Sequence, residues 1–276
     1  MKQTIEEKKE KLARILSRFD KLAVALSGGV DSALLLASAY DILRNRLVAI
    51  TARSPLHPEQ DIADAARLCA DLGVSHWIVD STELTVPDFL ANTPMRCYTC
   101  KMTVFGQLLE KIRQKGIEHL AHGANADDLG DYRPGLRAAR ELGVSAPLME
   151  AGLTKEEIRS LARARGLGVW NKPAMACLAS RIPYGSPITI DAIGQVRQAE
   201  NALGKAGFSG YRIRHHGNVA RIEVLPGQMA SLIADPMRER IVAELRKIGF
   251  DHVCVDLEGY VSGSLNRALD SGAKQP

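Results

Sequence analysis

The first candidate ligand-binding segment of this chain is a pair of glycines between two apolar runs. Residues 22–26 form a short apolar run typical of a buried strand, and residues 31–37 are good helix formers. Gly28 and Gly29 between them allow backbone angles closed to other residues and let a ligand approach the main chain. A strand, a tight turn and a helix aim backbone N–H groups and a positive helix end at one point. The stretch therefore predicts a phosphate site.

The side chains of this turn indicate which class of phosphate-binding loop it is. Ser27 and Ser32 add hydroxyl donors, whereas the Asp31 carboxylate repels a bare phosphate, so we expect a metal ion or an amine to share the site. The Walker and dinucleotide patterns are both excluded, because no lysine follows the adjacent glycines and no third glycine completes a Gly-x-Gly-x-x-Gly. The motif SGGVDS at 27–32 resembles the PP-loop of ATP pyrophosphatases, which cleave ATP between its α- and β-phosphates. An ordinary strand-to-helix turn is the alternative interpretation.

Three cysteines lie in segments suited to metal binding or thiol chemistry. Cys97 and Cys100 form a Cys-x-x-Cys just before a predicted helix at 101–115, where the helix N-terminus and Lys101 favour thiolate. Cys177 lies in an irregular segment among small residues. Three thiolates could hold an iron–sulfur cluster with one iron left open. A zinc site, a redox dithiol and, for Cys177, simple burial are the alternatives.

Several arginines could bind an anionic substrate, because the guanidinium fork donates two parallel hydrogen bonds to a phosphate or carboxylate. Arg181 follows Cys177 closely, and Arg212 and Arg214 are two residues apart on a predicted strand and so share one face. A solvated exterior is the alternative for that face. Glu200 and Glu223 are expected at the surface, with a metal or subunit-contact role as the minority interpretation.

A polar loop after the fourth predicted strand could place magnesium or a ribose. A helix cap or a solvated loop would explain any one of its residues almost as well. The residues concerned are Asn125, Asp127, Asp128 and Asp131.

Strands alternate with helices over residues 20–165, which predicts an α/β fold with a parallel, doubly wound sheet. Ligands of such sheets bind at the carboxyl ends of the strands. The phosphate turn, the long loop at 80–99 and the polar loop all follow strands, so they can share one crevice. The predicted strands are 22–26, 47–51, 74–79 and 117–122, and the predicted helices include 3–19, 59–72 and 154–165.

A proline-broken segment at 170–187 marks a predicted junction between a first domain at 1–175 and a smaller α+β domain at 176–276. The order expected in the second domain is helix, strand, strand, helix, strand. The predicted elements are 190–203, 211–215, 219–225, 229–248 with a break near 235–236, and 250–257.

The composition favours a globular protein over a secreted, membrane-spanning or disulfide-rich one. The 276 residues carry a net charge of +4 with 46% hydrophobic and 25% charged residues, which is typical of a globular protein. The charged first helix is unlike a secretory signal, no run reaches membrane-spanning length, and we expect a cytoplasmic location without membrane contact. Five cysteines, an odd number, argue against a disulfide framework, and Cys69 and Cys254 are expected to pack in the core.

The chain resembles the LarE family in four segments: SGGVDS at 27–32, DYRPG at 131–135, WNKPAMACLASRIPYG at 170–185 and RIRHHGNVARIEV at 212–224. These are ATP-dependent sulfur transferases of the nickel-pincer cofactor pathway of lactate racemase. The resemblance implies that ATP adenylates the carboxylates of pyridinium-3,5-biscarboxylic acid mononucleotide and that sulfur then displaces AMP. One branch sacrifices the sulfur of a single cysteine, and the other binds a [4Fe-4S] cluster through three cysteines. Aligned on Ser180-Arg181, the sacrificial cysteine falls at Ala176, beside Cys177, which favours the cluster branch.

We therefore expect three groups of site residues, a mononucleotide substrate, a homo-oligomer, no nucleic acid and an unidentified sulfide donor. Catalytic roles fall to Cys177, Asp31 and Arg181. The alternatives are a tRNA-thiolating PP-loop enzyme, although no basic stripe or aromatic platform is present, and a non-catalytic adenylate or zinc sensor. The expected binding residues are Ser27, Gly28, Gly29, Asp31 and Ser32 for ATP and Mg²⁺, Cys97, Cys100 and Cys177 for the cluster, and Arg181, Arg212 and Arg214 for the substrate's phosphate and carboxylates.

Overall fold

The computed structural model describes residues 3–130, 134–173 and 176–261, together with residues 264 and 267. Contacts within the chain divide these residues into two compact units. Unit one comprises the described residues of 1–83 and 97–175, and unit two comprises those of 84–96 and 176–275. Unit two thus takes in residues 84–96, which the chain order had assigned to the first domain.

The helices and strands have the following bounds. The helices are α1 (Ile5–Leu16), α2 (Val30–Leu43), α3 (Glu59–Leu72), α4 (Pro87–Leu90), α5 (Arg96–Arg113), α6 (Pro134–Glu141), α7 (Pro147–Ala151), α8 (Lys155–Ala164), α9 (Ile190–Lys205), α10 (Met229–Ile233) and α11 (Met237–Ile248). The strands are β1 (Leu22–Ala25), β2 (Leu47–Arg53), β3 (Ser75–Asp80), β4 (His119–Ala121), β5 (Arg212–His216), β6 (Val219–Glu223) and β7 (His252–Val255). Every helix in the described ranges is too short or too polar to span a lipid bilayer.

Unit one is built on a parallel sheet whose strands, in the described part of the chain, follow the order β3-β2-β1-β4. Val24 of β1 lies beside Ala49 of β2 and Ala121 of β4. Because β1 is an inner strand, the loop that follows it opens within the carboxyl edge of the sheet, where ligands of such folds bind.

Helices cover both faces of this sheet. Val24 packs into a cluster with Leu35 of α2 and Ile158 of α8. Its neighbour Ala23 points to the opposite face, as strand alternation requires, and packs with Phe105 of α5. The predicted doubly wound α/β fold is confirmed.

Helix α5 begins earlier than predicted. It starts at Arg96, so Cys97 and Cys100 lie inside its first turns rather than before it. Arg96 is buried, and its guanidinium donates to the side-chain oxygen of Asn92 and to the carbonyl of Ala179, 3.0 Å away. These contacts hold Arg96 at the start of the helix, and one of them comes from Ala179, 83 positions away, which no local sequence pattern links to position 96.

Unit two contains, among its described residues, a sheet of order β5-β6-β7. Strands β5 and β6 form an antiparallel hairpin, and β7 pairs parallel to β6. Ile213 and Ile222 pack with Leu245 of α11 in a separate core. The predicted order of elements in a small α+β domain is confirmed, including the helix break between α10 and α11.

The expectation for Cys254 is wrong, whereas that for Cys69 is confirmed. Cys69 is buried in the core of unit one. Cys254 is exposed, because Val253 and Val255 on either side of it pack against the core and alternation turns Cys254 to the other face of β7.

Candidate active site

The loop from Ser27 to Gly29 joins β1 to α2 in a conformation that requires glycine. Gly28 has φ +74°, and a Cβ atom on it would lie 2.2 Å from the carbonyl oxygen of Asp61. Gly29 is the N-cap of α2 and supplies no side chain to the first-turn N–H groups. Those donors and the positive helix end are therefore presented at the loop, as in phosphate sites.

The two serines of the loop have different positions. Ser32 is buried, accepts the Ser27 N–H at 3.2 Å and donates to the Gly29 carbonyl at 3.1 Å. The hydroxyls of Ser27 and Ser32 are 3.1 Å apart, and since the Ser32 proton is directed to Gly29, Ser27 is the donor between them. Ser32 therefore braces the turn, while the exposed Ser27 is placed to reach a ligand.

The carboxylate of Asp31 forms an ion pair with the ammonium of Lys155, at the N-terminus of α8. The side-chain amide of Asn125 donates to Asp31 Oδ1 at 3.3 Å. The expected partner of Asp31 is thus present as an amine, and nothing in the local sequence links Lys155 to the loop, because the two residues are 124 positions apart.

The polar loop after β4 is organised around Asn125. Its backbone N–H donates to Asp128 at 2.9 Å, and its side-chain oxygen accepts the Asp127 N–H at 3.0 Å. Asp127 also accepts the backbone N–H of Lys155 at 2.8 Å. Asp127 and Asp128 therefore act as caps for the loop and for α8, and Asp131 lies outside the described residues.

A close approach holds this loop against α2. A Cβ atom on Gly123 would lie 2.7 Å from the Ser32 backbone nitrogen, so only glycine fits. The sequence showed Gly123 as one glycine in a polar run, without a signal that it lies against the phosphate loop.

Lys172 connects the phosphate loop to α3. Its ammonium lies 3.0 Å from the Gly28 carbonyl, 2.8 Å from Asp61 and 2.6 Å from Asp64. Burial lowers the pKa of Lys172, but hydrogen bonds to Asp61 and Asp64 outweigh it and raise the pKa above its ordinary value. Lys172 was overlooked as a functional residue, although it stands in the segment at 170–185 that resembles the LarE family.

The residues around the phosphate loop fit ATP and Mg²⁺. Within the described ranges, no three His, Cys, Asp or Glu side chains are grouped as a metal site. Magnesium bound with nucleotide phosphates needs only one or two protein carboxylates, and the partly exposed Asp31 fits that requirement.

Cys97 and Cys100 are three residues apart on α5 and so share one face of the helix. Cys97 is exposed and Cys100 is half-buried. The Lys101 ammonium, next along the helix, lies over the ring of the buried Phe105, 4.5 Å from its centre. The pair belongs to unit one, whereas Cys177 belongs to unit two. All three lie outside the core clusters, and thiols are suitable ligands for an iron–sulfur cluster.

Arg181 is buried and hydrogen-bonded to the backbone of the segment that contains Cys177. Its guanidinium makes two bonds to Glu200, of 2.8 and 3.0 Å, and donates to the Ala176 carbonyl at 2.7 Å. Arg181 is 0% exposed. Glu200, expected at the surface, is buried, because it receives Arg181 and also the backbone N–H of Ile213 at 3.1 Å.

Arg212 and Arg214 share one face of β5, and both are buried. Arg214 forms two bonds to Glu223, of 2.9 and 2.7 Å, which explains why Glu223 is buried rather than at the surface as expected. Arg212 lies over the Tyr260 ring at 4.8 Å. Burial and then the nearby Arg181 cation lower the pKa of Arg212. Arg181, Arg212 and Arg214 therefore lie close together, and Glu200 and Glu223 balance two of their three positive charges.

The chain is similar to known proteins along most of its length. A model of the NAD synthase family matches residues 4–91, which carry the phosphate loop. An uncharacterised protein of Synechocystis is 40% identical over 265 residues, covering 96% of this chain and 99% of the relative. The pyridinium-3,5-bisthiocarboxylic acid mononucleotide synthase of Lactiplantibacillus plantarum is 35% identical over 267 residues, 96% of each chain.

The chain belongs to the family of this synthase, the LarE family. The expectations of a PP-loop fold and of an ATP-dependent sulfurtransferase are confirmed. The LarE-family chain is also 27% identical to the tRNA-specific 2-thiouridylase of Rickettsia felis, over 72% of its own length and 64% of the relative.

Proposed function

We propose that the protein adenylates the carboxylates of pyridinium-3,5-biscarboxylic acid mononucleotide and replaces AMP with sulfur, in the biosynthesis of the nickel-pincer nucleotide cofactor of lactate racemase. The observation that supports this most strongly is an intact phosphate loop, with Asp31 beside a cation, in a chain 35% identical over 96% of its length to a synthase named for the bisthiocarboxylic product.

The chemistry divides into two displacements. A substrate carboxylate oxygen attacks the α-phosphorus of ATP, the bond to the β-phosphate oxygen breaks, and pyrophosphate leaves. The loop N–H groups, Ser27 and the N-terminus of α2 bind the phosphates, and Asp31 would hold the Mg²⁺ that neutralises phosphate charge. Sulfide then attacks the activated carboxyl carbon, and AMP leaves with the bonding electrons. A second round acts on the other carboxylate.

We assign substrate binding to the arginine-bearing face of unit two. Arg212, which lies over the Tyr260 ring and donates to the Tyr211 carbonyl at 2.6 Å, is the arginine that we assign to the substrate's phosphate or carboxylates. Arg181 and Arg214 form ion pairs with Glu200 and Glu223, so we assign them the role of positioning the neighbouring backbone.

We further propose that Cys97, Cys100 and Cys177 hold a [4Fe-4S] cluster. A cluster with three protein thiolates leaves one iron free to carry the sulfide that is transferred. The choice of cysteines rests on accessibility and on position. Burial raises the pKa of Cys69 to about 11 and keeps its thiol protonated, and the exposed Cys254 lies on β7, outside both the Cys-x-x-Cys and the segment at 170–185. Sacrificial transfer from Cys177 is the competing route.

Iron and sulfide analysis after anaerobic reconstitution tests the sulfur route. We expect bound iron in the wild type and its loss in Cys97→Ser, Cys100→Ser and Cys177→Ala, with the exposed Cys254→Ala as the unaffected control. The same samples are assayed with ATP and the mononucleotide for AMP, pyrophosphate and thiocarboxylate. Iron-free wild-type protein together with an active Cys177→Ala variant would rule out both cysteine routes.

A second candidate function is tRNA thiolation, which the match to a tRNA-specific 2-thiouridylase favours. The same assay with tRNA in place of the mononucleotide distinguishes the two. Thiolated tRNA without thiocarboxylate would select the second candidate.

A further inference from the structure

The ion pair between Lys155 and Asp31 lies at the mouth of the phosphate loop. Asp31 is in the first turn of α2, and its carboxylate contacts both the Lys155 ammonium and the Asn125 amide. The Lys155 side chain is 31% exposed and that of Asp31 is 22% exposed. Both groups can therefore be reached by a ligand at the loop.

The loop itself supplies no cation for the phosphates. In Walker-type loops a lysine that follows the last glycine reaches the β- and γ-phosphates. In SGGVDS at 27–32 that lysine is missing, and the only ionised side chain, Asp31, is negative. A departing pyrophosphate needs positive charge in addition to Mg²⁺, so this charge must come from another part of the chain.

The backbone of Lys155 is fixed, while its side chain is the adjustable part. Thr154 caps α8 in a reciprocal capping box with Glu157, and Glu157 pairs with Lys8 at 2.7 Å. The Lys155 backbone N–H is held by Asp127. A flexible four-carbon stem on a fixed backbone lets the ammonium move between neighbouring anions without moving the helix.

We propose that Lys155 binds the β- and γ-phosphates of ATP and stabilises the leaving pyrophosphate, an inference that rests on the proposed function. Without nucleotide, the ammonium neutralises Asp31. When ATP binds, the ammonium turns from Asp31 to the phosphates, and the Asp31 carboxylate is then available to hold Mg²⁺. As the bond between the α-phosphorus and the bridging oxygen breaks, its electron pair goes to pyrophosphate. Lys155 offsets that charge by hydrogen bonding, without transferring its proton.

Binding of inorganic pyrophosphate and of AMP to the full chain tests this role. Lys155→Met removes the charge and keeps the length, and Lys155→Arg keeps the charge. Arg165→Gln is the control, because Arg165 caps the other end of α8 and loses a comparable ion pair, to Asp41 at 2.6 Å. Calorimetry measures both ligands with Mg²⁺ present, and thermal melting reports on folding.

We expect Lys155→Met to weaken pyrophosphate binding by about tenfold or more, since a charge-assisted hydrogen bond is lost. AMP binding should change by less than about twofold, because AMP has no β-phosphate. Lys155→Arg should recover part of the loss, and Arg165→Gln should match the wild type. Unchanged pyrophosphate binding in Lys155→Met would overturn the inference, and so would an equal loss for both ligands with a lower melting temperature, which marks a structural role.

The result is separable from the proposed function, because pyrophosphate binding involves neither the mononucleotide nor sulfur. If thiocarboxylate fails to form while pyrophosphate binding still depends on Lys155, the proposed function is wrong and the inference stands. If thiocarboxylate forms and the affinity for pyrophosphate is unchanged in Lys155→Met, only the inference is wrong.

Discussion

At the scale of single residues, the surroundings of a charged side chain depend on its distant partners as much as on its type. Arg181 and Arg214 have the chemistry of phosphate ligands, yet each makes a bidentate bond to a buried glutamate, Glu200 or Glu223. Such a pair contributes little net stability compared with apolar groups, but removing one partner leaves a buried charge. These arginines therefore matter first for the fold of unit two.

Arg181→Met should lower the free energy of unfolding by about 3–5 kcal/mol, because Glu200 is left buried and unpaired. The double variant Arg181→Met/Glu200→Gln should recover part of this loss, since the glutamine oxygen still accepts the Ile213 N–H. Urea denaturation followed by circular dichroism measures both. Arg238→Gln removes an exposed pair with Asp235 and should leave the midpoint unchanged. An Arg181→Met protein as stable as the wild type would contradict a structural role for this pair.

Among the elements, the junction between β1 and α2 depends on three close approaches. Gly28 lies against Asp61 at the start of α3, Gly123 lies against the first turn of α2, and Lys172 bonds to the Gly28 carbonyl. The loop is thus held on several sides before any ligand binds. A prepared site of this kind avoids the ordering cost that a flexible loop pays on binding.

Gly28→Ala should reduce ATP binding by at least about tenfold, because the added Cβ would overlap the Asp61 carbonyl and force the loop to move. Gly73→Ala is a matched control: Gly73 has a similar φ of +68°, but nothing lies within 4 Å of its Cβ position. The control should lose about 1 kcal/mol of stability from backbone strain and keep its affinity for ATP. Equal ATP affinities in the two variants, measured by calorimetry, would show that the close approach is unimportant.

For the whole molecule, the half-buried His122 makes the free energy of unfolding depend on pH. Burial, and then the nearby Lys101 cation, lowers the pKa of His122 from 6.5 to about 4. The unfolded chain therefore takes up a proton at higher pH than the folded protein does. Stability from this group is complete above about pH 6.5 and is lost as the pH falls towards 4.

The wild type should lose up to about 3 kcal/mol of stability through His122 as the pH falls from 6.5 to 4. His122→Gln carries no titrating group and should show a flatter profile in this window. Urea unfolding at several pH values measures the slope, with the exposed His252→Gln as a control that should follow the wild type. A His122→Gln profile parallel to that of the wild type would locate the acid sensitivity elsewhere.

Much of the fold was predictable, because short-range sequence patterns determine many of its helices and strands. The alternation of apolar strands with helices led to the parallel sheet, and Thr154 with Glu157 led to the capping box at α8. The start of α5 was not predictable, because Arg96 is anchored in part by the carbonyl of Ala179, 83 positions away.

The sequence by itself determined the strand, the glycine turn and the helix of the phosphate site, because backbone conformation there depends on neighbouring residues. It also determined that Asp31 needs a cation. Only the tertiary structure decided that this cation is Lys155, and that Arg181 is paired with Glu200. Such pairings depend on which distant residues the packed elements bring together and how far burial removes water from their charges.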